Sequence, residues 1–170
     1  MTHFCEYYIQ QGQADNHAVR EAACHCISEL CEKVASVQPD PMWPFVDDLL
    51  ACLIDCFKDE SWPVRDSACV STGKFVKTFP EESSPWKDEL FELWFNHLSD
   101  NINSVWEHSA EAICDVLTVY EEETKAKILH ELDSNLMKAW DQPQDSKKNS
   151  NLEPVTQFGV APMRQHDHEN

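Results

Sequence analysis

At 170 residues the chain has room for one domain of ordinary size, and 42% apolar with 26% charged is a globular composition. Three glycines, Gly12, Gly73 and Gly159, leave no glycine-rich phosphate cradle and few of the turns that a sandwich or barrel requires. Thirteen basic against 31 acidic side chains give a net charge of −18, which repels nucleic-acid backbones and anionic lipid and attracts basic surfaces.

The predicted elements fall into helix pairs. The first unit, residues 2–36, opens with the short leading helix "THFCEYYIQQGQA", whose Phe4, Tyr7 and Ile9 face is expected to lie open. Its second helix, in "DNHAVREAACHCISELCEKV", places Ala23, Ile27, Leu30, Cys31 and Val34 on one face by their 3.6-residue periodicity. The second unit, residues 42–80, starts at Pro44, a first-turn proline whose missing N–H costs nothing. Leu49, Leu53 and Phe57 follow, then a turn from Asp59 and a second helix with Ala68, Thr72, Phe75, Val76 and Phe79 inward. The third unit, residues 83–121, repeats the plan with Pro85, then Leu90, Trp94 and Leu98, a turn from Asp100, and Ser109, Ile113, Val116, Leu117 and Tyr120. Val19, Val64 and Val105 head the three second helices at intervals of 45 and 41 residues. One extra helix is predicted over 122–140 with Ile128, Leu132 and Leu136 on a face, then a turn at Trp140 and Asp141. A polar tail, 141–170, reads as disordered.

A period near forty with two helices per unit predicts an all-α fold. One pair cannot bury its apolar face alone, so neighbours stack into a right-handed solenoid. The spacing of Asp59, Val64 and Arg65 resembles the signature of HEAT repeats in the armadillo-type superfamily, over roughly residues 2–140. The resemblance implies a ladder along the stack in which Arg20 approaches Asp59 and Arg65 approaches Asp100. Trp106 stands where the third arginine would be, so the ladder is expected to end there. It also implies that the second helices line a concave face. The outward residues there are His25, Glu29 and Glu32, then Val70, Lys74 and Lys77, then Glu111, Asp115 and Thr118. Both ends read as a piece cut from a longer array or a shortened relative of one.

Site chemistry is sparse. Cys24, His25 and Cys26 are adjacent on a helix and diverge by about 100° each, and no C-x-x-C pair supplies the rest of a tetrahedral site, so no metal or other cofactor is expected. His166 and His168 fall in the polar tail. The acidic run Glu121–Glu123 reads as a wet helix start, and an open solenoid offers no enclosed pocket for catalysis, so no enzyme is expected. Trp62, placed in a turn, reads either as a lid over the helix-pair core or as an interface anchor. The longest apolar stretch, Leu49 to Ile54, is far below the roughly 20 residues that cross a bilayer, and residues 2–12 lack the features of a signal peptide. The eight cysteines are therefore read as reduced thiols in a soluble cytoplasmic or nuclear chain. The functional expectation is a non-catalytic scaffold that binds a protein with a basic surface, through His25, Glu29, Glu32, Trp62, Glu111 and Asp115. The alternative is a fragment of an importin-β-like transport receptor that carries basic cargo.

Overall fold

The computed structural model describes residues 2–120 and 122–141, and these contain helices and turns with no strand. Seven α-helices follow one another: α1 (Thr2–Gln11), α2 (His17–Leu30), α3 (Val46–Phe57), α4 (Trp62–Thr78), α5 (Lys87–His97), α6 (Asn103–Val116) and α7 (Glu122–Asp141). The chain divides into Met1–Leu132, which holds α1 to α6 and the first part of α7, and Asp133–Asn170, whose described part is the end of α7.

Local chemistry sets the helix starts. Asn16 Oδ1 accepts the Ala18 N–H at 2.9 Å, satisfying a donor that the first turn of α2 leaves without a partner. Asp59 and Asp100 build matching turns before α4 and α6, with Oδ1 accepting from Ser61 N at 2.8 Å and from Ile102 N at 2.9 Å. Pro44 and Pro85 lie one step earlier than the sequence suggests. Each sits inside a 3₁₀ turn, Trp43–Phe45 or Ser84–Trp86, that runs directly into α3 or α5. Asp47, Asp48, Asp88 and Glu89 then fall in the first turns of those helices, where the backbone dipole favours negative charge.

Helices α1, α3 and α5 each pack on the even helix that follows, and α4 packs between α2 and α6. The core is continuous from Ile27 and Cys31 through Leu49, Leu53, Phe57, Phe75, Leu90 and Trp94 to Ile113 and Ile128. The α4–α6 crossing is close because Gly73 carries no side chain: a Cβ there would stand 3.0 Å from Ala112 Cβ and 3.3 Å from its Cα. Ala68 is fully buried nearby.

Four sequence expectations are corrected. Val34 is only half-buried and Ala35 is buried in its stead, where α2 runs into a π turn over Cys31–Ala35, while the half-buried Leu30 just before it packs against the core. Leu98, Leu117 and Tyr120, at or just beyond the ends of α5 and α6, are half-buried and do pack against the core. Trp62 is not in a turn. It is the first residue of α4, just before Pro63, with 47% of its surface exposed. The turn expected at Trp140 and Asp141 is absent too, since α7 continues through both. Phe4 and Tyr7 of α1 are exposed, whereas Ile9 packs against the core. The tail expected to be disordered lies, from residue 142 on, outside the described residues.

Candidate functional site

Two arginine–aspartate contacts tie successive helix pairs together. Arg20 projects from α2 and grips Asp59 as a fork, with Nε to Oδ2 at 2.7 Å and Nη2 to Oδ1 at 3.0 Å. Its Nη1 donates to the carbonyls of Ala14 and Asp15, at 2.8 and 2.9 Å. Arg65 does the same for its own loop, donating Nη1 to Asp59 O at 3.1 Å and Glu60 O at 2.9 Å. Its Nε and Nη2 both reach Asp100 Oδ2, at 3.3 and 3.2 Å. Burial pushes the Asp59 carboxyl up, but the Arg20 hydrogen bonds, the Ser61 N–H and the two guanidinium charges outweigh it and hold the group below its usual range. The Asp59 bond in turn raises Arg20. Trp106, at the third arginine's place, is 39% exposed.

The even helices also meet through a polar seam. His25 Nε2 lies 3.0 Å from Ser67 Oγ, and Asp66 Oδ1 lies 2.8 Å from His108 Nδ1. Lys74 Nζ reaches Glu32 at 3.0 Å, and Lys77 Nζ reaches Asp115 at 3.2 Å. Glu32, Lys74, Lys77, Thr78 and Asp115 line a groove of about 660 Å³ at the C-terminal ends of the even helices. Of the six residues singled out in the sequence, only Glu32 and Asp115 line it, each against a lysine of α4. Glu29 turns instead to Lys33 on its own helix, and that ammonium holds its carboxyl low. Glu111 is exposed on α6, His25 is exposed on α2 beside Ser67, and Trp62 stands at the start of α4. Sequence reasoning passed over Asp66, Ser67 and His108. Their signal was spacing: both His25–Ser67 and Asp66–His108 join residues 42 apart, close to the repeat interval.

A third cluster is buried. Cys24 of α2 and Cys52 and Cys56 of α3 lie together inside, whereas His25 is exposed and Cys26 half-buried, as the divergence of adjacent helical side chains requires. Hydrogen bonding to Cys56, with burial added, pushes the Cys24 and Cys52 thiols up. The same interactions, with Cys24 first, hold the Cys56 thiol below its ordinary value. Among the described residues no group of three or more His, Cys, Asp and Glu side chains is arranged to hold a metal ion. No helix among them is long and apolar enough to cross a membrane. No protein family matches the chain, and no curated protein matches it.

Proposed function

We propose that this chain is a short HEAT-type α-solenoid that works without catalysis, as an intracellular scaffold for a protein partner with a basic surface. The observation that carries the reading is the pair of contacts Arg20–Asp59 and Arg65–Asp100, which repeat one connection between successive helix pairs. The stacking of α2, α4 and α6 side by side, with polar contacts 38 to 42 residues apart, supports the same reading. The net charge of −18 supports the partner's sign.

The binding face of this scaffold is the row of even helices. Glu32 and Asp115 exchange their lysines for cationic groups of the partner, while the exposed Glu29 and Glu111 steer its approach, with His25 and Trp62 as further contacts. Affinity capture from cell extract with the full chain, at about 50 and 500 mM salt, tests it. Basic partners are expected to be retained at low salt and lost at high salt. Glu29→Lys with Glu111→Lys should weaken capture, while Glu81→Lys with Glu82→Lys, on the turn between units, should not. Retention by the first variant together with loss on Trp62→Ala would move the interface to the helix starts.

A further inference from the structure

The groove at the C-terminal ends of the even helices carries its charges in an order. Glu32, in the π turn that ends α2, stands on one side, Lys74 and Lys77 of α4 hold the middle, and Asp115 of α6 stands on the other side. The hydroxyls of Ser36 and Thr78 also face the groove, but they donate to the Glu32 and Lys74 carbonyls of their own helices. The two ammoniums are therefore its cationic donors. Glu32, Lys74, Lys77 and Asp115 are 32% to 53% exposed, and ion pairs so exposed contribute little, so a ligand opens both pairs at small cost. Lys74 and Lys77 lie three residues apart on one helix, neighbours on its surface, and can converge on one group.

When Glu32 and Asp115 turn to the cations of a basic partner, these lysines are left side by side with no counter-charge. The partner has to supply an anion as well. Two ammoniums match a phosphate monoester, which carries about two negative charges near neutral pH, whereas one carboxylate would leave an ammonium unmatched. The net charge of −18 repels a bare anion, so the phosphate has to arrive between cations.

Resting on the proposed role of Glu32 and Asp115 as acceptors for a basic partner, we propose that the groove binds a phosphorylated serine or threonine set between basic residues of an extended segment. The phosphate lies on Lys74 and Lys77, one basic side chain on Glu32 and the other on Asp115. Packed helices run about 8–10 Å apart, so the two steps from α2 across α4 to α6 cover roughly 16–20 Å. An extended chain spans that in about six residues at roughly 3.3 Å each, which puts the basic residues about three before and three after the phosphate.

Fluorescence anisotropy with the full chain, at about 50 mM salt, tests it with labelled seven-residue peptides. Three carry arginine at both ends, alanine between, and phosphoserine, serine or aspartate at the centre; a fourth carries phosphoserine with alanine at both ends. The phosphoserine peptide with arginines should bind about tenfold or more tightly than its serine and aspartate counterparts, and the alanine-ended one should not saturate. Lys74→Gln with Lys77→Gln should remove the advantage of phosphate while still binding the serine peptide. Lys74→Arg with Lys77→Arg should keep the advantage, which separates loss of charge from loss of fold. Equal affinity for the serine and phosphoserine peptides would overturn the phosphate site and leave the basic-partner reading standing. Failure of every arginine peptide to bind would overturn both. An aspartate peptide as tight as the phosphoserine one, or a glutamine variant that still prefers phosphate, would also overturn the proposal.

Discussion

Asp59 is the residue on which most contacts converge, since it receives Arg20 as a fork, accepts the Ser61 N–H, and lends its own carbonyl to Arg65. Its folded carboxyl is held below the ordinary value of 3.8, so it contributes stability above that pH and loses it as pH falls through the lowered value. Acid unfolding followed by circular dichroism should therefore show Asp59→Asn less stable than the parent at neutral pH, with the gap closing below about pH 4. Arg20→Lys should cost about 1–3 kcal/mol in urea unfolding, because a single ammonium cannot reach both carboxylate oxygens and the Ala14 and Asp15 carbonyls together. An unchanged midpoint would show that the fork adds nothing to stability. Ala68→Leu, at a fully buried site, should overpack by about 1–3 kcal/mol in the same assay.

At the scale of elements, α4 shows where sequence reading succeeds and stops. Periodicity identified Ala68, Thr72, Phe75, Val76 and Phe79, and all five are buried. Ser67, Cys69, Ser71 and Gly73 are buried as well, because α4 has neighbours on several sides. Small residues carry no hydrophobic signal of their own, so a helix closely packed by others looks only weakly amphipathic in sequence. Their burial depends on partners that the sequence does not display: Ser71 Oγ donates to Cys24 O at 2.9 Å, and the Cys69 thiol lies 3.3 Å from Ser109 Oγ. The candidate site was legible in the same uneven way. Outward positions of the even helices follow from periodicity, but the lysines facing Glu32 and Asp115 depend on how helices align across the stack. The π turn in α2 was hidden because nothing in Cys31–Ala35 announces an extra residue. Gly73→Val should wedge α4 from α6 and cost about 1–3 kcal/mol by urea unfolding, since the obstruction includes Ala112 backbone as well as its methyl group. A neutral result would mean that this crossing can open without loss.

For the whole molecule, charge is the dominant quantity. An excess of 18 negative charges disfavours any compact state through self-repulsion, and screening relieves it. Thermal unfolding midpoints should therefore rise as sodium chloride goes from about 20 to 500 mM, opposite in direction to the salt dependence expected for binding a basic partner. A midpoint that fell with salt would indicate that ion pairs such as Lys74–Glu32 and Lys77–Asp115 outweigh the general repulsion.

The contact between α1 and α3 has a counterpart 45 residues on, with different occupants. Where Gly12 meets Cys52 and Cys56, the equivalent Phe57 stacks on His97, with ring centroids 4.5 Å apart and planes 25° from parallel. A glycine with sulfurs and a phenyl ring with an imidazole fill the same seat with unlike volumes. The helix pairs are therefore not interchangeable parts. Excising the middle pair would set Gly12 opposite Leu93 and His97, leaving a void the size of a phenyl ring. Shuffling or lengthening such a chain by duplication would require both sides of the joint to change together, so its order of units is written into its seams.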